Sequence, residues 1–515
     1  ITNCIEMCLV LAIFVFSLSL GQARSQASAD RTSLPGMELL LNTERELLLN
    51  LEYYVNALEA KVNVIRSQVL RINLPKSEDM DKVTAAMNRL QITYKLQPIE
   101  MAAGLLNGKQ YNTSLSSRDC FEIGQRLLSQ GDIFYSSEWL YAAADRFQEN
   151  EVNTIFGFDL LQIYDLYMET FLKQYRYNTA MEVANVALEY SPNNTKFLHK
   201  KSLIEYDMKM SKKLPIEFDI HASELYKMYY RCCRGEFEDR LTHLHCRYNT
   251  TTHPFLKLAP FKMEELLLDP YIVLFYDVIS DAEIAEIKAI TRPYLKSANV
   301  YDANNGGSIP DKRRTNHESA FADNQSNTTI RIMQRITDLS GFDLKGSKVM
   351  HTMNYVLAGH YEPHFDFFNT TEDDEMVRGV GDRIATVVFY LSDVDQGGST
   401  VFPDLEIAVH PRKGSALMWY NLDNSGEVDE RTYHASCPVI VGSKWIGTKW
   451  IHERAQTFRR PCFTPSNDSD FISFLIYGTS STTEDMKRIK KKKHMCVVGH
   501  TREAKLFRSY IDLIA

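Results

Sequence analysis

His364 and Asp366 stand two residues apart in the stretch HYEPHFDFF. In a β-strand such positions share a face, and the phenylalanines at 365, 367 and 368 favour a strand. An imidazole and a carboxylate then meet at one point. Two histidines and one carboxylate on one face suit Fe(II) and leave coordination positions open. A lone His-x-Asp also serves as a hydrogen-bonded pair on an exposed strand, so a third ligand has to be found. His434, in RTYHASCPVIVGSKW, lies seventy residues after His364, and Lys444 ten residues further on. A lysine inside an otherwise apolar strand is costly unless a carboxylate meets it. A dicarboxylate chelating the metal at one end would offer Lys444 its other end. Taken alone, Lys444 fits equally a surface position on an edge strand.

The elements that must position these groups begin near Asp269. RIATVVFYLSDV, STVFPDL, GSALMWYNL and KWIGTKWIHE are short β-branched or aromatic runs. Asp395–Gly398 and Pro411–Gly414 supply turns between them. Many short strands with such turns predict a sandwich or jelly roll, which brings distant strands together. SDAEIAEIKAI (Ser280–Ile290) reads as a capped helix beside them. Asp302–Asn327 reads as a long polar loop.

The first half is helical. Leu41, Leu48, Val55, Val62 and Val69 recur every seven residues, with Leu51, Leu58, Ile65 and Ile72 offset by three. This a/d pattern buries an apolar seam against another helix, either from a second copy or from an intramolecular hairpin. YDLYMETFLKQYRYNTAMEVANVALEYSP follows a helix-turn-helix repeat pattern, with Tyr164, Tyr167 and Phe171 at the large positions and Ala180, Ala187 and Pro192 at the small and breaking ones. A short repeat array offers a concave surface to an extended peptide, and tyrosines there can pack on proline rings. The same tyrosines also suit the core between helices.

The chain of 515 residues has ordinary composition, 44% hydrophobic and 24% charged, with net charge −8. A nucleic-acid binder would show a basic domain instead. MCLVLAIFVFSLSL (Met7–Leu20), followed by Ala27-Ser28-Ala29, reads as a secretory signal. No later run has the length of a membrane span. Sequons at Asn112, Asn193, Asn249, Asn324, Asn327, Asn369 and Asn467 agree with secretory entry. Beyond Cys4 and Cys8, seven cysteines remain. An oxidising lumen suits disulfides Cys233–Cys246 and Cys437–Cys462, with Cys232 able to replace Cys233. The odd total leaves at least one thiol unpaired within the chain.

HYEPHFDFF, RIATVVFYLSDVDQGGSTVFP, GSALMWYNL, HASCPVIVGSKWIGTKWIHER and FRRPC, in that order, resemble the catalytic domain of the collagen prolyl 4-hydroxylase α subunits. The likeness runs from the heptad region to about Cys462. It implies an α+β multidomain chain: a helical N-terminal half, with a coiled-coil dimerisation segment and a TPR-like domain, then a C-terminal double-stranded β-helix, or jelly roll. It implies Fe(II), 2-oxoglutarate, O2 and L-ascorbate. His364, Asp366 and His434 match the metal ligands, and Lys444 the residue for the distal carboxylate of 2-oxoglutarate. His452 matches a further co-substrate histidine, and Tyr355 a co-substrate tyrosine. Tyr164 and Tyr167 match the peptide-binding middle domain. The family pairs the cysteines matching Cys233 with Cys246 and Cys437 with Cys462. The expected reaction is 4-hydroxylation of peptidyl proline in procollagen-like X-Pro-Gly repeats, with decarboxylation of 2-oxoglutarate to succinate and CO2. A non-catalytic proline-rich-peptide-binding subunit or collagen chaperone, or an oxygenase for another secreted peptide, are the alternatives. The expected partner is protein disulfide isomerase in an α2β2 tetramer, in the endoplasmic reticulum lumen, with no nucleic acid and no stable membrane insertion. The expected domains are a signal peptide (1–29), dimerisation segment (36–110), peptide-binding domain (116–212), disulfide-bearing linker (213–268), catalytic domain (269–463) and an atypical tail (471–515).

Overall fold

The computed structural model describes residues 34–71, 77–149, 157–211, 213–216, 224–237, 244–302, 307–368, 377–423, 425–457 and 459. The expected signal segment, Asn369, Cys462, Asn467 and the tail lie outside the described residues. The chain divides into two units, residues 1–80 and 81–515.

In the first unit, α1 (Leu34–Arg71) is a single helix of 38 residues. Leucine, glutamate and alanine favour it, and past Gly36 no glycine or proline interrupts it. Its heptad residues Leu48, Leu51, Val55 and Leu58 are between 40% and 66% exposed, an apolar seam left uncovered. α2 (Ser77–Tyr94) runs across the boundary of the two units.

The second unit continues with α3 (Ser117–Gln130), α4 (Ile133–Asp145), α5 (Leu160–Lys173), α6 (Tyr177–Tyr190), α7 (Thr195–Met210) and α8 (Glu224–Arg234). Ser116 and Asp119 form a capping box at the start of α3, and Gly131 ends it in the left-handed conformation. These helices bury two separate faces. α5, α6 and α7 close on Met168, Phe171, Ala184 and Phe197. From the second unit's part of α2, Leu90 and Tyr94 join Ile123, Trp139 and Tyr229 in a core that also holds strand residues Val401 and Ala435.

Thirteen strands build the two sheets that carry the site. They are β1 (Cys246–Asn249), β2 (Phe261–Leu268), β3 (Tyr271–Tyr276), β4 (Lys296–Ser297), β5 (His317–Phe321), β6 (Met350–Tyr355), β7 (Tyr361–His364), β8 (Arg383–Tyr390), β9 (Thr400–Phe402), β10 (Ile407–Val409), β11 (Ala416–Tyr420), β12 (His434–Ser436) and β13 (Lys444–His452). The larger sheet has nine strands in the order β1-β2-β3-β11-β8-β13-β6-β5-β4, and the smaller has four, β7-β12-β9-β10. All these pairings are antiparallel. Strand alternation sorts the side chains. Ala385, Val387 and Phe389 of β8 meet Ile284 and Ile287 of α9 (Asp281–Thr291) and Ile332 and Ile336 of α10 (Asn327–Ser340). Val388 and Tyr390 face the other way, onto Phe402 and Trp419 between the two sheets. α9 carries the Ser280–Glu283 capping box its sequence predicts.

The helical layer grips the back of the smaller sheet. Arg89 donates to the Ala358 carbonyl at 2.8 Å, and the Tyr94 hydroxyl to the Pro438 carbonyl at 2.6 Å. Gly397 permits this closeness: a Cβ there would stand 2.5 Å from the Pro438 oxygen and 2.9 Å from the Tyr94 hydroxyl.

Four expectations change. Cys233 is bonded to Cys437, with Cα atoms 5.6 Å apart, not to Cys246, and Cys437 is therefore not joined to Cys462. The reason is spatial: α8 contacts β9 and β10 of the smaller sheet and the turn after β9, whereas Cys246 sits exposed on the edge strand of the larger one. The stretch 213–268 is no simple linker, since α8, β1 and β2 all lie in it. The polar stretch 302–327 carries β5. The sequon at Asn249 is 2% exposed, its amide donating to the Leu339 carbonyl and Thr252 hydroxyl, so this fold has no room for a glycan there. Asn112, Asn193, Asn324 and Asn327 are exposed. Among the described residues no helix is long and apolar enough to cross a membrane.

Candidate active site

β7 ends on His364 and β12 begins on His434, and the two are direct cross-strand partners. Their rings lie 4.4 Å apart between centroids. Asp366 follows two residues after β7 and brings its carboxylate beside both, 3.8 Å from His364 Nε2 and 3.6 Å from His434 Nε2. One ligand atom from each of the three falls within 4.8 Å of the others.

The two imidazoles are held alike. His364 Nδ1 lies 2.8 Å from the Glu362 carbonyl, and His434 Nδ1 lies 2.9 Å from the Thr432 carbonyl, each two residues back. A carbonyl only accepts, so both Nδ1 atoms donate and both Nε2 atoms keep a lone pair for a metal. Burial pushes His364 down to about 3, with His434 adding to the effect, so it stays neutral. Burial acts to raise the Asp366 carboxyl, but His434, His364 and Arg383 more than offset it and leave the group below the usual carboxylate range. Two imidazole nitrogens with one carboxylate form the donor set expected of non-haem Fe(II).

Lys444 opens β13 with no exposed surface. Its ammonium donates to Ser436 Oγ at 2.7 Å and to Thr400 Oγ1 at 3.3 Å, while the Tyr390 hydroxyl donates to Thr400 at 2.8 Å. Among the described residues no carboxylate is paired with it, and burial pushes it down to about 7. A buried cation with hydroxyl neighbours fits the distal carboxylate of a dicarboxylic acid. Tyr355 is the cross-strand neighbour of Lys444, and its ring lies 5.4 Å from the Lys444 nitrogen. His452, at the far end of β13, engages the Gly381 carbonyl through Nδ1 at 2.7 Å. Its Nε2 is buried with no hydrogen-bond partner among the described residues. Lys444 and His452, both even-numbered on β13, share the face turned to the smaller sheet. Tyr164 and Tyr167 stand apart from this centre, half-buried on α5 at the margin of its own helical core.

Residues the sequence did not single out complete the site. Tyr361 stacks on His364 with centroids 3.6 Å apart. Arg383 donates to the Asp366 carbonyl at 3.1 Å and lies between the rings of Phe368 and Trp450, 4.3 Å from each centroid. The Thr386 hydroxyl meets Asp366 Oδ2 at 2.7 Å. The available signal was modest: Thr386 is the one non-aromatic polar residue within the buried run of β8, Ala385–Tyr390. From the helical layer, the Tyr226 hydroxyl of α8 donates to Glu362 Oε2 at 2.6 Å.

Comparison with known proteins gives two family matches. Residues 350–452 match the 2OG-Fe(II) oxygenase superfamily, and residues 68–108 match the prolyl 4-hydroxylase alpha-subunit, N-terminal region. The prolyl 4-hydroxylase subunit alpha-2 of Gallus gallus is 35% identical over 409 residues, 75% of this chain and 76% of the relative. The prolyl 4-hydroxylase subunit alpha-1 of Rattus norvegicus is 35% identical over 416 residues, 76% of this chain and 77% of the relative. The solved viral collagen prolyl hydroxylase of Paramecium Bursaria Chlorella virus-1 aligns with 35% of this chain and 95% of its own, at 20% identity and a TM-score of 0.29.

Proposed function

The chain belongs to the prolyl 4-hydroxylase alpha-subunit family, and from that premise we propose that it hydroxylates C4 of proline in X-Pro-Gly repeats of a collagen-like polypeptide. It is an Fe(II)- and 2-oxoglutarate-dependent dioxygenase, with O2 as the other co-substrate. One observation carries the reading: His364, Asp366 and His434 converge on one point, while Lys444 offers a buried cation to an anion.

Iron and 2-oxoglutarate, when bound, supply the activation of O2, coupled to decarboxylation of the co-substrate to succinate and CO2. The chain's own residues hold and orient. His364, Asp366 and His434 would hold the metal. Lys444 binds the distal carboxylate, with Ser436 and Thr400 fixing its ammonium. His452 and Tyr355 line the co-substrate's position. The apolar wall of Val388, Leu417 and Ile446 keeps water out of the space between the sheets.

The finer reading follows the family. As an alpha subunit the chain has a beta-subunit partner and a peptide substrate; we take the partner to be protein disulfide isomerase in an α2β2 tetramer of the endoplasmic reticulum lumen. L-ascorbate sustains turnover. The two facing sheets are read as a double-stranded β-helix, α1 as the coiled-coil dimerisation segment, and α5–α7 as a TPR-like module whose Tyr164 and Tyr167 meet proline-rich peptide. The test is direct. The full chain, expressed with the isomerase, is given (Pro-Pro-Gly)n with Fe(II), 2-oxoglutarate and ascorbate. Succinate release matched by 4-hydroxyproline in the peptide, located by mass spectrometry, is the expected result. Peptide bound but unchanged would overturn the enzymatic reading for this substrate.

A further inference from the structure

Behind Asp366 lies a second pair of buried polar side chains. Thr386 and Asn421 have no exposed surface, and the Asp366 carboxylate is 5% exposed. Thr386 Oγ1 lies 2.7 Å from Asp366 Oδ2, and Asn421 Nδ2 lies 3.0 Å from Thr386 Oγ1. The hydrogen count fixes the direction of both bonds. An ionised carboxylate only accepts, so the Thr386 hydroxyl must donate to Asp366. A hydroxyl has one proton, which is then spent, so Asn421 has to present its NH2 and not its carbonyl oxygen. Asn421 is itself anchored: its backbone N–H donates to the Ile384 carbonyl, and its carbonyl accepts from the Asp429 N–H, both at 2.9 Å.

We propose that Thr386 and Asn421 form a one-way hydrogen-bond relay that orients the Asp366 carboxylate for the metal. Asp366 lies beyond the last paired residue of β7, so strand pairing does not fix its side chain. The relay supplies that restraint from β8 and from the end of β11. With Oδ2 held by the hydroxyl and the Asp366 carbonyl held by Arg383, turning of the carboxylate plane and exchange of its two oxygens cost a hydrogen bond. Both are positioning residues, acting through Asp366. The inference rests on the metal-centre reading above.

The experiment uses the full-length chain and Co(II) as the probe, titrated without oxygen and read by its visible d–d absorption. Wild-type protein should bind Co(II), and His434→Ala should not; failure of that pair overturns the metal centre itself. Thr386→Val keeps the shape and removes the hydroxyl. It should weaken Co(II) binding about 10- to 100-fold, the usual scale for losing an outer partner of a metal ligand, and change the band shape. Thr386→Ser, which retains the hydroxyl, should restore both. Asn421→Leu should weaken binding in the same direction by less. In turnover the Fe(II) requirement should rise while the peptide KM stays put. Wild-type-like Co(II) affinity and spectrum in folded Thr386→Val would overturn the relay. Should that variant not fold, the same result in Asn421→Leu would do so.

Discussion

Lys444 Nζ lies 2.7 Å from the hydroxyl of Ser436, two residues along β12 from His434. One three-residue strand therefore touches both ends of the proposed co-substrate site. It carries His434 of the candidate metal triad at its first residue and braces the buried Lys444 ammonium at its last. Removing the cation should separate the two functions. Lys444→Ala loses a charge-assisted contact worth about 1.5–3 kcal/mol, so the 2-oxoglutarate KM should rise roughly 10- to 100-fold. The His364–Asp366–His434 set should still bind metal. Co-substrate titration beside metal titration checks this, and an unchanged KM would remove Lys444 from the site.

Lys444 also sets a pH dependence. Burial lowers it from an ordinary 10.5 to about 7. Between those values the unfolded chain binds the extra proton and the folded chain does not, so this group's contribution to stability rises with pH across that window. Co-substrate binding runs the opposite way, because the dicarboxylate needs the ammonium. Its affinity should fall as pH climbs past about 7, approaching tenfold per pH unit at the steepest. Lys444→Met should flatten that slope. Calorimetric titrations across the range would show it.

Tyr226 is linked to His364 through Glu362. Its hydroxyl holds the Glu362 carboxylate, and the carbonyl of the same residue holds His364 Nδ1. Tyr226→Phe should cost about 0.5–1.5 kcal/mol in urea unfolding, the net worth of one hydrogen bond. A variant as stable as wild type would show that the helical layer does not brace β7 through this contact.

The Cys233–Cys437 bond closes a loop across 204 residues of sequence. Non-reducing peptide mapping should recover that pair and no Cys233–Cys246 peptide. Cys233→Ser should lower stability by about 2–5 kcal/mol, the range for a native disulfide. Recovery of a Cys233–Cys246 peptide would overturn the connectivity.

The candidate metal triad stands out in the sequence because its residue types lie in short local motifs. The two-residue spacing of His364 and Asp366 pointed to one strand, but β7 stops at His364 and Asp366 lies in the bend beyond it; Lys444 is conspicuous in an apolar run. What stayed hidden depends on which strands become neighbours. Asn421 lies 35 residues from Thr386 and is brought to it by the β11-β8 pairing, while Asp366, 20 residues away, reaches Thr386 from the end of β7 in the facing sheet. The disulfide was misjudged for a related reason. Cys246 is near Cys233 in sequence, but α8 lies over the smaller sheet, beside Cys437. The heptads of α1 correctly gave a long helix, yet periodicity cannot say what covers Leu48, Leu51, Val55 and Leu58.

The placement of β1 and β2 bears on how the chain can be cut. A fragment beginning at residue 269 keeps every candidate metal and co-substrate residue but strips both strands from the larger sheet. β3 would become its rim, and Tyr271–Phe275 are five successive buried residues. Such an unshielded apolar margin templates intermolecular strand addition. The truncated piece should therefore precipitate where the whole chain does not, and recombinant work on the β-rich half should begin upstream of Cys246.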